Sequence, residues 1–140
     1  MTQTLTDKEK TEKVKEYAAH TIGSEHTYTG LTALEYTDGM KFVAETCGAY
    51  WLLIMVDSLQ PEVLKVLQEK KLRNFQVWVL KNKLLTSEGA VEWVLEAWSD
   101  LPGDSELLTR QTFEFSDFPM ELLPFEFWVE YGTAMLKQER

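Results

Sequence analysis

Residues 36–59 read YTDGMKFVAETCGAYWLLIMVDSL, and the rest of the chain has to pack around them. Within them, residues 47–56 form a run of ten without a charge. A helix that is apolar on every side has no face to offer to water, so we expect it to be buried in the core. Ten residues are about half of the roughly 20 that a bilayer crossing needs, so the run predicts a core helix and no membrane segment.

Two further helices are predicted on either side of this segment. Residues 6–22 repeat apolar side chains at helical spacing and begin with a capping-box pair, Thr6 and Glu9. Residues 61–71 begin with a proline, which suits the first turn of a helix. Inside the central helix, Gly48 lowers the helix propensity by about 1 kcal/mol relative to alanine, so we expect close packing or a kink there.

After residue 72 the apolar period changes from that of a helix to that of a strand. The predicted strands are 74–81, 90–98, 105–115 and 125–131, with a short fifth at 134–136. For residues 90–98 a helix remains the alternative. A turn is predicted at 100–104. This order favours an α+β fold in which three N-terminal helices, one of them buried, pack on one face of a four- to five-stranded antiparallel sheet. The length fits a single domain, 1–140, divided into a helical part, 1–72, and an acidic sheet, 73–140.

The whole net charge of −9 lies in the last 57 residues, from Leu84 onward. Through Lys83 there are 11 basic and 11 acidic residues, whereas from Leu84 onward there are 3 basic and 12 acidic ones. An acidic surface disfavours direct contact with nucleic acid and favours basic partners, although solubility alone is the simpler interpretation. The one cysteine, Cys47, lies in the apolar run, which predicts a reducing, cytoplasmic setting without a disulfide.

The sequence contains none of the familiar motifs of catalysis or cofactor binding. There is no nucleophile elbow and no glycine-rich phosphate loop. His20 and His26 are six residues apart, which is not the spacing of a helical metal-ligand pair. We therefore predict no catalytic residue, no metal and no cofactor, and an enzymatic activity is the less favoured alternative.

Alternation along the predicted strands separates an apolar face from a mixed one. The apolar parity is expected to face the helices, and the opposite parity combines glutamates with tryptophans. Tryptophan is enriched in protein interfaces, so this outer face is predicted to dock a protein partner, either a second copy or a basic protein. The candidate partner-binding residues are Trp78, Glu92, Glu96, Trp98, Glu126, Trp128 and Glu130. The simpler interpretation is that the chain itself covers these rings, through its tails or residues 122–123.

A second hypothesis is a small-molecule-binding or hydrolytic protein with a pocket between the buried helix and the sheet. Its candidate residues are Tyr36, Asp38, Glu45, Gln76 and Asp117. Paired carboxylates are the usual means of acid–base chemistry, which is why Asp38, Glu45 and Asp117 are considered. The simpler interpretation is that Asp38 caps a helix and Asp117 forms a turn.

Four fragments, at 36–39, 48–53, 75–78 and 116–119, read YTDG, GAYWLL, FQVW and SDFP. Together they resemble a family of small bacterial, phage and plasmid proteins known only as a domain of unknown function, and the likeness runs from about residue 36 to 136. The family pattern places an acid after Trp-Leu-Leu, where this chain has Ile54. The resemblance implies a bacterial setting, often on a mobile element, where the protein would serve as an accessory protein. It implies no activity.

Overall fold

The computed structural model describes residues 5–20, 26–89, 91–101, 105–114 and 116–139. This part of the chain contains four α-helices: α1 (Asp7–His20), α2 (Asp38–Cys47), α3 (Tyr50–Ser58) and α4 (Gln60–Glu69). It contains seven strands: β1 (Thr27–Tyr28), β2 (Glu35–Thr37), β3 (Phe75–Leu84), β4 (Val91–Trp98), β5 (Leu107–Phe113), β6 (Phe125–Glu130) and β7 (Thr133–Leu136). The α+β class is confirmed, with more elements than predicted. The predicted end of the first helix and most of the turn at 100–104 lie outside the described residues.

The first helix begins where its capping box predicts. The Thr6 side chain accepts a hydrogen bond from the Glu9 backbone N–H at 3.2 Å, and the Glu9 carboxylate accepts one from the Thr6 N–H at 3.4 Å. Two backbone donors that a helix start would leave without partners are satisfied in this way.

The central segment forms two helices, so the prediction of one continuous helix is wrong. The first of them, α2, ends at Gly48, whose φ of 61° is the left-handed conformation that favours glycine. The Gly48 N–H donates to the carbonyl of Ala44, which closes the helix, and α3 starts two residues later. Only part of the apolar surface of α3 reaches the core, since Ile54 is 57% exposed.

All seven strands belong to one sheet, in the order β1-β2-β7-β6-β3-β4-β5. The pair β2–β7 is parallel and the other pairs are antiparallel, so the prediction of a wholly antiparallel sheet is corrected. Because β1 and β2 come from residues 27–37, the N-terminal part contributes strands as well as helices. Among the strands, the central three, β6, β3 and β4, contribute most of the buried core side chains.

The helices cover one face of this sheet. The helix-facing side chains of β4 and β6 are those the alternation predicts: Val91, Trp93, Leu95 and Ala97, and Phe125, Phe127 and Val129. They pack with buried side chains of the helices, among them Val43, Leu52 and Val63.

The face assignment of β3 was wrong. Trp78 is fully buried against the helices and stacks with Phe127 at 6.4 Å, whereas Val77 and Val79 point to the opposite face. The strand lies between β4 and β6 and is covered on both faces along 75–78, so both of its parities are apolar and alternation cannot distinguish them. The strand also continues to Leu84, which places Lys81 and Lys83 on the same side as Val77 and Val79.

Burial of Trp78 depends on a polar contact inside the core. Its indole N–H donates to the side-chain amide oxygen of Gln76 at 2.8 Å, and the Gln76 and Gln60 side chains exchange two hydrogen bonds of 2.9 Å. Both glutamines are at most 1% exposed, so each needs a partner to offset its desolvation. Gln76 therefore has a structural role that links β3 to α4.

Candidate interaction face

The face of the sheet opposite the helices is formed by side chains of β3, β4, β5 and β6. We call it the open face and define it by these residues: Phe75, Val77, Val79, Lys81, Lys83, Glu92, Val94, Glu96, Trp98, Arg110, Thr112, Glu126, Trp128 and Glu130. Two cavities lie on this face, and none of their lining residues belongs to a helix. The open face therefore lacks a helical cover along these cavities.

An apolar row crosses the open face. Val77 pairs with Trp98 on one side and with Trp128 on the other, so the two indoles flank it. The Phe75 ring, 1% exposed, lies 5.4 Å from the Trp128 ring. The ladder is irregular between Ala97 and Trp98, and such bulges redirect side chains at binding sites.

An apolar groove of about 380 Å³ lies beside Trp98. Val77 and Val79 line its floor, and Glu126 of β6 lies on its far side. Asp100 and Ser105, which follow β4, contribute polar groups at the edge. An apolar floor with a few polar groups around it is the usual composition of a site for a ligand or a side chain.

Glu96 lies at the centre of the open face as a buried ion. It is 1% exposed, and its two oxygens are bound by different cations. Lys81 Nζ lies 2.7 Å from one oxygen, and Arg110 Nε and Nη2 lie 2.7 and 2.6 Å from the other. A second cavity of about 470 Å³ shares Lys81 and Glu96 with the groove, so the two meet at this ion pair network.

The pKa of Glu96 is set by two opposing effects. Burial disfavours the charged carboxylate and raises the pKa, but the hydrogen bonds and charges of Lys81 and Arg110 lower it by more. The pKa of Glu96 therefore lies below the ordinary value, and the carboxylate stays ionised at neutral pH.

The open face is less acidic than predicted. Six of the seven predicted partner-binding residues lie on it: Glu92, Glu96, Trp98, Glu126, Trp128 and Glu130. Trp78 does not, and Lys81 and Lys83 were missed because β3 was assigned the opposite orientation. The signal was present in the sequence, since two lysines at alternating positions mark the water-facing side of a strand.

The simpler interpretation offered the tails or residues 122–123 as the cover of the rings, and residues 122–123 do not lie on this face. Leu122 and Leu123 pack against the helix-facing core. In the described residues, Trp98 and Trp128 remain partly exposed on the open face.

The five residues of the pocket hypothesis are only partly together. Tyr36, Asp38 and Glu45 lie in one surface cluster with Tyr28 and Tyr50. Tyr28 donates to Asp38 at 2.7 Å, and Tyr50 donates to Glu45 at 3.2 Å. The Tyr36 ring lies 5.6 Å from that of Tyr28 and 6.3 Å from that of Tyr50, so the rings occupy the space between the carboxylates.

Three groups of this tyrosine cluster, Tyr28, Asp38 and Tyr50, have shifted pKa values. The hydrogen bond between Tyr28 and Asp38 raises the pKa of the phenol and lowers that of the carboxyl. Burial, with a contribution from Glu45, raises the pKa of Tyr50 to about 12. The phenols therefore remain protonated donors at neutral pH.

Two pocket residues lie elsewhere. Gln76 is enclosed in the core with Gln60 and Trp78. Asp117 is exposed in the turn before Phe118, whose N–H donates to Ser116 at 3.0 Å, as in an ordinary side-chain turn. Cys47 is fully buried, and desolvation raises the pKa of its thiol to about 11, so it is a poor nucleophile.

The described residues also bear on metal sites and on membrane crossing. No group of three or more His, Cys, Asp or Glu side chains there is arranged to hold a metal ion. Within the same residues, no helix has the length and apolar character that a membrane crossing requires.

The structure thus defines an α+β protein with one helix-covered and one open sheet face. A family model described as a family of unknown function, DUF6876, matches residues 12–140, and the chain belongs to this family. The resemblance to a domain of unknown function is confirmed. Comparison with curated proteins and with solved structures gave no match.

Proposed function

We propose that this protein is a non-enzymatic interaction module that binds an extended, basic polypeptide segment on its open face. The observation that carries the proposal is the apolar groove between Trp98 and Glu126, on a sheet face that no described helix covers at that point. Partly exposed tryptophans beside an apolar floor are typical of interface hot spots.

The apolar part of the ligand would lie beside Trp98 on Val79, which is partly exposed, while Val77, 2% exposed, supports the floor of the groove. A long basic side chain suits this place because its methylene stem packs on apolar surface while its cation stays at the edge. Guanidinium and ammonium groups are also attracted to the face of an indole.

The carboxylates at the edge of the groove favour a cation over an anion. Asp100 and Glu126 pair with Arg73 and Lys137 at 3.7 Å, and the two basic partners are about half exposed. Pairs of this kind contribute little energy, so a cation of the ligand can replace the internal partner at small cost. Glu96 is different, since its two short ion pairs keep it as a fixed part of the floor.

The test uses a short peptide that alternates arginine and valine, with an acidic counterpart that alternates glutamate and valine. Intrinsic tryptophan fluorescence measures the Kd of each peptide for the whole chain. We expect the basic peptide to bind and the acidic peptide not to bind. Salt should weaken the binding of the basic peptide, because charge contributes to it.

Two variants locate the contact. Trp98→Ala should raise the Kd about 30-fold, which corresponds to a hot-spot loss of about 2 kcal/mol. Glu126→Lys should weaken binding through charge, without removing apolar surface. Met120→Ala is the matched control, since Met120 is 56% exposed in a turn that contacts α1. The Kd of the basic peptide for this variant should equal that for wild type. Equal binding of both peptides, or equal Kd values for all three variants, would contradict the proposal.

The cellular setting forms part of the proposal. The buried thiol of Cys47 and the absence of a cysteine partner in the sequence support a reducing cytoplasm. The family resemblance supports an accessory role in bacteria or on their mobile elements. The pocket hypothesis stays a prediction, with Tyr36, Asp38 and Glu45 together and Gln76 and Asp117 apart.

A further inference from the structure

The second cavity of the open face is lined by more basic than acidic side chains. Its basic residues are Lys81, Lys83 and Arg110, and its acidic residues are Glu92 and Glu96. In a chain with a net charge of −9, a cavity with one surplus positive charge is a local exception. Its volume of about 470 Å³ leaves room for a ligand group among these side chains.

Glu96 holds two of the three cations in place. It is 1% exposed, and it binds Lys81 Nζ at 2.7 Å and Arg110 Nη2 at 2.6 Å. An ammonium has three donors and a guanidinium has five, so each cation keeps donors for a further acceptor. The two side chains are 46% and 52% exposed, which leaves those donors within reach of a ligand.

Lys83 supplies the third cation, close to the end of β3. It is exposed and forms no ion pair with any residue that the structure describes. Glu92 lies opposite Lys83 in the strand ladder, and a pair between two such surface side chains contributes little energy. Lys83 is therefore the cation that a ligand can recruit most easily.

We propose that this cavity binds the C-terminal carboxylate of the basic segment that lies in the groove. The inference rests on the proposed function and names the part of a polypeptide that the open face recognises. A carboxylate carries one negative charge, which matches the one surplus positive charge of the cavity. A phosphate group carries about two negative charges and would leave one of them uncompensated beside Glu92 and Glu96.

The cavity lies where an extended ligand leaves the sheet. It shares Lys81 and Glu96 with the groove, so one ligand can occupy both. From Val79 in the groove to Lys83 is a distance of about four residues of β3, or about 13 Å, and an extended peptide spans it with as many residues. Strand β3 ends at Leu84, directly after Lys83. A chain terminus suits this edge, and terminal carboxylates are a known target of peptide recognition.

The opposite charges of the two cavities set the direction of the ligand. Asp100 and Glu126 at the groove favour a basic side chain, whereas the second cavity favours an anion. The expected ligand is therefore a polypeptide that ends about four residues after a basic side chain.

The test compares two forms of the arginine–valine peptide, one with a free C-terminal carboxylate and one with a C-terminal amide. Both have an acetylated N-terminus, and tryptophan fluorescence measures their Kd values for the whole chain. We expect the free carboxylate form to bind about tenfold tighter, as one charge-assisted hydrogen bond contributes. General attraction to a chain of net charge −9 predicts the opposite order, since the amide form carries one more positive charge.

Two lysine variants locate the carboxylate. Lys83→Gln removes one cation of the cavity and leaves the contacts of Glu96 intact. It should remove most of the preference for the free carboxylate without weakening the binding of the amide form. Lys65→Gln is the matched control, since Lys65 is exposed on α4 in the helix layer, and it should keep the full preference.

A third peptide distinguishes a chain terminus from an acidic side chain. It is amidated and has glutamate in place of its last valine, and we expect it to bind no tighter than the amide form. Binding as tight as that of the free carboxylate would overturn the inference.

The remaining outcomes distinguish this inference from the proposed function. Equal Kd values for the free carboxylate and amide forms would overturn the inference alone and leave the proposed function standing. A preference that Lys83→Gln leaves unchanged would have the same meaning. Failure of both forms to bind would contradict the proposed function, and the inference with it.

Discussion

Position 39 is a glycine against which a carboxylate from the far end of the chain packs closely. Glu139, only 7% exposed, accepts the Gly39 N–H at 3.0 Å, the Thr37 hydroxyl at 2.6 Å and the Leu136 N–H at 2.9 Å. It therefore binds the C-terminal turn to the start of α2, where the helix dipole favours an anion. A Cβ at position 39 would lie 2.3 Å from the Glu139 oxygen.

We expect Gly39→Ala to lower the free energy of unfolding by about 1–3 kcal/mol, as overpacking does in a filled site. At an exposed helix position, replacing glycine with alanine would instead raise the free energy of unfolding by about 1 kcal/mol. Urea denaturation measures the change. In a Glu139→Ala background the cost of Gly39→Ala should fall, leaving only the contact of the new Cβ with Leu136 Cδ1 at 2.8 Å. An equal cost in both backgrounds would contradict the Glu139 contact.

The network around Glu96 predicts a dependence of stability on pH. Because its folded-state pKa lies below the ordinary 4.5, ionised Glu96 contributes stability above pH 4.5. That contribution is lost as the pH falls through the lower, folded-state value. Glu96→Gln removes the titration but leaves Lys81 and Arg110 without their anion, so it should be less stable than wild type at neutral pH. Its deficit should shrink in acid, as measured by urea denaturation at each pH, and a deficit that stays constant would contradict the assignment.

Among the elements, the α2–α3 junction depends on the conformation of one residue. Gly48 has a positive φ of 61°, and a Cβ there would meet nothing within 4 Å. The cost of Gly48→Ala is therefore conformational alone, about 1–2 kcal/mol for an L-residue in the left-handed region. Gly48→Asn should cost less, since asparagine tolerates this region better. Thermal and urea unfolding measure both, and an alanine variant as stable as wild type would be inconsistent with the break.

Local sequence patterns predicted the individual helices and strands better than the way these elements are oriented and paired. The capping box at Thr6 and the alternation of β4 and β6 each depend on neighbours in sequence, and both predictions are confirmed. The orientation of β3 could not be predicted from its apolar segment, because a central strand buried on both faces shows no alternation there. Lys81 and Lys83 carried the missing information, but the predicted strand ended at the first of them.

Long-range pairing was the other limit. The parallel pair β2–β7 joins residues about 100 positions apart, and no local period indicates such a partner. Likewise, the charge-free run predicted that α3 enters the core, but not that Ile54 faces water. Of the candidate site, the glutamates and Trp98 and Trp128 were predictable from alternation, whereas the groove floor of Val77 and Val79 was not.

At the scale of the whole molecule, two surfaces of different chemistry lie on opposite layers. The open face belongs to the sheet and combines an apolar floor with charge, whereas the exposed α3 residues Tyr50, Ile54 and Ser58 belong to the helix layer and are uncharged.

The most direct measurement is a ¹H–¹⁵N titration of the wild-type chain with the arginine–valine peptide. The proposed function predicts that the backbone amide signals of Val77, Val79 and Trp98 and the indole N–H signal of Trp98 shift together and saturate. The amide signals of Tyr36 and Ile54 should stay in place. Shifts confined to the tyrosine cluster would favour the pocket hypothesis instead. A spectrum that the peptide leaves unchanged would contradict the assignment of the open face as a site for basic polypeptides.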